Sequence, residues 1–467
     1  MASKYEKFSH LEHILARPDT YVGSLQEDTT IQWVMEGEVM KERPIKNVPA
    51  LFKIFDEILV NAVDQCTDTT NMVTKIHVNV SDDTIEISNT GIGIAIEKHE
   101  KYNNQWVPEM IFGELLTSSN YNDAEKRTTG GRNGYGAKLA NVFSKEFSID
   151  IASTFSKKRY QQTWTNNMSN KKEPKVTSYS NKLGYTKVSF KPDLPRFKMT
   201  SLNTDIRKLF ERRTYDICVC TPKNVKVYFN NSLLVCNTFE KYVSYYIGEK
   251  SSTERVHSST PRWEICVAPS SNGFKHVSFV NGINTYLGGS HVDSVVNNLV
   301  KKVIDYTTTK HKDVKIKPQH VKENIIVFVN CTLVNPSFSS QTKTECTSRY
   351  KDFGSSFEFS EDSLKKIYKM QFIQEVLALA KHKEMRDLKK TDGKKTNSVR
   401  GIPKLEDANK AGTNKSNECT LILTEGDSAK TFAISGLSVV GRDTYGVFPL
   451  KGKLLNVREA TVKQLAN

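Results

Sequence analysis

Residues 50–65, ALFKIFDEILVNAVDQ, carry Leu51, Phe55, Ile58, Leu59 and Ala62 on one stripe at helical period. Two short alternating runs come next. Ile76, Val78 and Val80 alternate, as do Ile85 and Ile87, and Asp82-Asp83 between them predicts a hairpin turn. An apolar helix face beside a hairpin is buried by laying the helix on the sheet. Alternation near 146–151, 185–190 and 225–229, with a short helix over 108–116, extends this to a helix-backed, largely antiparallel sheet ending near residue 250. Ahead of it, a polar stretch leads into a turn at Ala16-Arg17-Pro18-Asp19-Thr20.

The run GEKSSTERVHSST, 248–260, reads as a linker. A second α/β segment follows, with strands at 264–268, 275–280 and 325–330 and helices near 290–304 and 361–390. Residues 381–415 hold 11 Lys/Arg against 5 Asp/Glu and read as a basic connector. A third segment opens with the strand CTLILT, 419–424, then Glu425 and a helix. The fold class expected is a multidomain α+β and α/β chain, divided as 1–255, 256–403 and 404–467.

Lys+Arg 67 against Asp+Glu 52 gives a net +15, which suits either a polyanionic partner or a basic solvated surface. No apolar run approaches the ~20 residues of a membrane span, and MASKYEKFSHLEHIL lacks a leader's apolar core. A soluble, non-secreted chain without a membrane partner is expected. Of eight cysteines only Cys218 and Cys220 are close, and Cys-x-Cys on an alternating strand is not a zinc spacing, so unpaired thiols are expected.

Glu57 and Asn61 lie four apart on the first helix and share a face. A carboxylate there can orient a water as general base, and an amide oxygen one turn on can ligate Mg²⁺. The same pair can equally solvate a helix face. Asn89 ends a strand and could hydrogen-bond a base, and Gly91 and Gly93 allow close backbone approach to a ligand. Thr117-Ser118-Ser119-Asn120 offers hydroxyls and an amide to ribose and phosphate. Gly131, Arg132, Asn133, Gly134, Tyr135, Gly136, Ala137 and Lys138 expose backbone N–H groups ahead of a helix start, with one added ammonium, and so can cradle a polyphosphate. This is not a P-loop: Ala137 separates Gly136 from Lys138, and no Ser or Thr follows.

Glu-x-x-x-Asn, Asn-x-Gly-x-Gly, Ser-Ser-Asn and Gly-Gly-Arg-Asn-Gly-Tyr-Gly-Ala-Lys, in that order, resemble the Bergerat-fold ATPases. The stretches GRNGYGAKLANVFS (131–144) and LEHILARPDTYVGS (11–24) are similar to eukaryotic-type type II DNA topoisomerases in particular. Thr90 and Ala95 stand where that family usually has Asn or Asp and Pro. The resemblance implies an ATP-dependent enzyme needing Mg²⁺, in which a homodimeric gate closes on ATP and captures double-stranded DNA.

The resemblance also implies that the loop around Gln341, Thr342 and Lys343 belongs to a transducer domain, with Lys343 reaching the γ-phosphate and Gln341 supporting it. Glu57, Gln341 and Lys343 would then take part in catalysis. Tyr5 would cross to the partner subunit's nucleotide, and Lys310 and Lys312 would face DNA. By the same resemblance residues 404–465 open a TOPRIM domain in which Glu425 binds Mg²⁺. That domain's other metal carboxylates and the DNA-attacking tyrosine would lie beyond Asn467, and Lys451 stands where Arg is usual. The implied site of action is the nucleus for a cellular source, or an infected cell or virion for a large DNA virus, the source towards which the short N-terminal tail leans. A DNA clamp without cleavage and a nucleotide-responsive scaffold are rival readings.

Overall fold

The computed structural model describes residues 7–117, 126–131, 134–236, 238–311, 314, 316–391, 402 and 404–450. The chain divides into two compact units, the first being 1–267 with 276–295 and 327–358, and the second 268–275 with 296–326 and 359–467.

The first unit is built on the expected helix, Pro49–Asp64, whose first position is a proline with preset helical φ. Of its 16 residues 12 are buried, including Lys53, Asp56 and Glu57, so it is a core helix rather than a surface one. Phe55 stacks on Phe210 with centroids 4.0 Å apart. Beside the helix runs a nine-stranded sheet in the order Lys175–Ser178, Lys158–Thr165, Ser144–Ser153, Gly184–Pro192, Ile85–Gly91, Lys75–Val80, Lys226–Phe229, Ser232–Leu233, with Asn170–Lys171 added to Lys158–Thr165. Its ladders are antiparallel except for Lys226–Phe229 on Lys75–Val80. The Asp82-Asp83 hairpin is present, Val80 facing Ile85.

A second sheet has the order Val256–Thr260, Trp263–Pro269, Ile325–Cys331, Lys275–Val280, Ile283–Asn284. In the second unit the helices Glu361–Ile367 and Gln371–Thr391 precede two parallel strands, Thr420–Thr424 and Tyr445–Pro449, flanked by the helix Asp427–Val440. The architecture is mixed α/β. No helix among the described residues is long and apolar enough to cross a membrane.

Several expectations need correction. The run 248–260 is not all linker, because Val256–Thr260 is a strand paired with Trp263–Pro269. Cys218 and Cys220 lie on a helix, Thr204–Cys220, not a strand; Ile-Cys-Val-Cys alternates in sequence, but the helix capped by Asn203 runs through it. Residues 361–390 form two helices, and the connector begins as helix up to Thr391. The helix expected near 290–304 runs on to Lys310, as Ser290–Lys310.

Arg213, fully buried on Thr204–Cys220, ties this helix to the rest of the first unit. Its Nε donates to Asp56 Oδ1 at 2.7 Å and its Nη2 to the Gly282 carbonyl at 2.6 Å. Removing one partner of a buried pair strands the other charge, so Arg213→Ala is expected to destabilise the first unit by about 3–5 kcal/mol in chemical denaturation. A loss under about 1 kcal/mol, the level of an exposed pair, would contradict this role.

Candidate functional site

The Pro49–Asp64 helix presents one polar row, Lys53, Glu57, Asn61 and Asp64, at spacings of four, four and three. The last three of these line a cavity of about 850 Å³, within the range of small-molecule sites. Lys53 Nζ lies 2.5 Å from Glu57 Oε1, both side chains 5% exposed. The Asn61 side chain makes no hydrogen bond to another described residue, which leaves its amide oxygen available as a ligand for a hard cation. Asp64 accepts the Gly130 and Gly131 N–H groups at 2.8 and 3.0 Å. Burial pushes its carboxyl up to about 6, against the lowering effect of those two bonds.

Two adjacent strands wall the cavity. Asn89 pairs with Thr186 and Ile87 with Val188 in register, and all four line it. Gly91 and Gly93 do not line it. Their close neighbours are backbone: a Cβ on Gly91 would stand 2.6 Å from the Asn71 carbonyl, and Gly93, with φ +77°, packs against the Ala152 carbonyl.

Opposite, Thr129, Gly131, Gly134, Tyr135, Gly136, Ala137 and Lys138 line the cavity as the glycine-rich reading expects. Gly136 opens the helix Gly136–Val142 against the Glu57 carboxylate, where a Cβ would overlap it. Lys138 donates to the Thr117 carbonyl at 2.6 Å, and burial pulls its ammonium down to about 8. Tyr135 Oη lies 3.2 Å from His10 Nε2.

The Gln341-Thr342-Lys343 loop completes the cavity through Gln341 and Lys343. Thr342 does not line it; its hydroxyl lies 2.6 Å from that of Ser340. Lys343 adopts φ +60°, a conformation that side-chain-bearing residues rarely hold. Its Nζ lies 3.4 Å from Glu57 Oε1 and 3.3 Å from the Gly130 carbonyl, to which it donates. Burial alone would raise the Glu57 carboxyl, but Lys343 and Lys53 outweigh it and hold it at about 2. Burial also pulls the Lys53 ammonium below its ordinary value, with Glu57 opposing.

Tyr5, Ser118, Ser119, Asn120, Arg132, Asn133 and Lys312 lie outside the described residues. Glu425 is exposed just after the strand Thr420–Thr424, and no group of three or more His, Cys, Asp or Glu residues suited to a metal occurs among the described residues. Lys310 Nζ sits 4.8 Å from the centre of the Tyr306 ring.

Sequence reasoning missed Lys53, Asp64, Thr186 and Val188. The first two carried a signal, a polar residue one turn before Glu57 and another one turn after Asn61 on an otherwise apolar helix. Thr186 and Val188 carried only strand alternation.

Residues 46–196 match the family described as histidine kinase-, DNA gyrase B- and HSP90-like ATPase, and residues 236–396 match the one described as DNA gyrase B. The crystal structure of the ATPase region of Saccharomyces cerevisiae topoisomerase II is 44% identical, covers 81% of this chain, is itself covered in full, and superposes with a TM-score of 0.75. The chain belongs to the type II topoisomerase family, in its ATPase region. DNA topoisomerase 2 of Candida glabrata and of Drosophila melanogaster are each 47% identical over 99% of the chain. The chain spans 34% and 32% of their lengths, about a third of these relatives.

A charged Lys138 would attract a phosphate in this cavity more strongly than a neutral one. Affinity of this type II topoisomerase ATPase region for ATP is therefore expected to fall as pH rises through about 8. Nucleotide titrations one unit either side of that value test it, with Lys138→Met expected to bind more weakly and to lose the dependence; equal dependence in both proteins would contradict it.

Proposed function

We propose that this chain is the ATP-driven part of an ATP-hydrolysing type II DNA topoisomerase, with Glu57 as the base that activates water. The observation that carries the reading is Lys343 Nζ at 3.4 Å from Glu57 Oε1 inside the cavity. A lysine aimed at the γ-phosphate position and a carboxylate aimed at water compete for one another while no phosphate is present. ATP offers Lys343 a more highly charged partner. Once Lys343 turns to it, Glu57 keeps only Lys53, its proton affinity rises, and it becomes a better base. Hydrolysis is thereby tied to the arrival of the third phosphate.

Asn61 is suited to give Mg²⁺ one oxygen ligand, the others coming from phosphates and water, and the ion would neutralise phosphate charge. Asn89, Ile87, Thr186 and Val188, neighbours on two paired strands of the wall, are suited to receive the base. Gly131, Gly134, Tyr135, Gly136, Ala137 and Lys138 would hold the phosphates, with Gln341 supporting Lys343. Ser118, Ser119, Asn120, Arg132, Asn133 and Thr342 remain proposed contacts by family likeness.

The wider reading follows the family. ATP closes a homodimeric gate that Tyr5 helps to build, a double-stranded DNA segment is captured, and Glu425 contributes to a Mg²⁺ site for DNA cleavage. Segments 1–255, 256–403 and 404–467 are the proposed functional division, with Lys310, Lys312 and the basic stretch 381–415 as candidate DNA contacts. The relatives compared come from cellular eukaryotes, which favours action in the nucleus; nothing in them supports a viral source.

Glu57→Gln is expected to keep ATP binding and to slow phosphate release by ~10²-fold or more, a usual general-base contribution. Wild-type turnover in the folded variant would remove Glu57 from the role.

A further inference from the structure

The stem of the glycine-rich loop is held from several sides. Gly130 donates its N–H to Asp64 Oδ1 at 2.8 Å, and its carbonyl, in the next peptide, accepts from Lys343 Nζ at 3.3 Å. Gly131 N–H donates to the other oxygen of Asp64 at 3.0 Å. Upstream, Arg127 N–H donates to Asn335 Oδ1 at 3.1 Å, and Asn335 N–H returns a bond to the Arg127 carbonyl at 2.9 Å. Asn281 Nδ2 reaches the Thr129 carbonyl at 3.4 Å and the Leu333 carbonyl at 3.0 Å. Space at Gly130 is tight, since a Cβ would stand 3.0 Å from Val60 Cγ1 and 3.1 Å from the Asn281 carbonyl.

A carboxylate in a cavity built for polyphosphate opposes its ligand by like charge. Both Asp64 oxygens are engaged by backbone donors of the loop stem, which gives the carboxylate a structural rather than a ligand-binding task. The geometry points to Asp64 as a positioning residue: through the Gly130–Gly131 peptide, whose N–H it accepts and whose carbonyl accepts from Lys343, it sets where Lys343 stands and where the loop beyond Gly131 begins. In this role Asp64 would touch neither the reacting phosphate nor the water. It acts by fixing the groups that do, so its loss should act on turnover more than on nucleotide affinity. The inference rests on the proposed roles of Lys343 and Glu57, and deepens them.

Asp64→Asn keeps the shape but replaces one acceptor oxygen by an amide that faces a second donor. ATP turnover is expected to fall roughly tenfold or more, the value of one hydrogen bond to a charged group, while ADP affinity changes less than about threefold. Hydrogen exchange of the peptide spanning 126–131, without nucleotide, should speed up roughly tenfold or more while the Pro49–Asp64 helix stays protected. Unchanged exchange of that peptide, or turnover within about twofold of wild type, would overturn the assignment. If the variant fails to fold, the wild-type protein still decides: the Gly130 and Gly131 amides must exchange slowly without nucleotide, and fast exchange overturns the inference. The exchange result does not depend on which group is the base. Wild-type turnover in Glu57→Gln therefore sinks the base assignment alone, and fast loop exchange sinks the positioning role alone.

Discussion

The site depends on a buried group of three charges, Lys53, Glu57 and Lys343, brought together from one helix and one distant loop. Such a group is not retained for stability, because removing ions from water costs about as much as their attraction returns. What it supplies is a carboxylate kept ionised by cations, one of which, on the proposed function, turns to phosphate. Lys53 is fixed, four residues before Glu57 on the same helix, and Lys343 is on a loop with a strained backbone. On the proposed function the loop-borne cation is the one that phosphate recruits.

Charge and pH follow from the same group. Glu57, held at about 2 instead of its ordinary 4.5, contributes stability that is present above the ordinary value and is lost as pH falls through the lower one. Asp64 has the opposite sign, since its carboxyl is raised from 3.8 to about 6 and the folded state therefore prefers it protonated. Two acids seven residues apart on one helix thus differ because two ammonium groups outweigh burial at Glu57, while two backbone amides do not outweigh it at Asp64.

Much of the fold was legible where local pattern and tertiary burial agree. The helix at 50–65 and the hairpin at Asp82-Asp83 carry clean periods, and of the glycine-rich run Gly136 stands where a Cβ would overlap the Glu57 carboxylate. The hairpin of Asp28–Glu36 and Val39–Asn47 and the helix Thr204–Cys220 were not read. That helix buries Arg212, Arg213 and Asp216, so its inner face looks polar in sequence and satisfies itself through ion pairs. Asp64 was missed because its partners are two backbone amides 66 and 67 residues away, which no side-chain pattern announces. Lys343 was found only through family likeness; a lone Gln-Thr-Lys carries no signal that it meets a glutamate 286 residues earlier.

The central claim is that Glu57 and Lys343 are energetically coupled before any nucleotide arrives. A double-mutant cycle of Glu57→Gln and Lys343→Met, read on the stability of the ligand-free protein, measures that coupling directly. An interaction of about 1 kcal/mol or more is expected, and additivity within about 0.3 kcal/mol would mean that the two side chains do not restrain one another and that ATP has nothing to release.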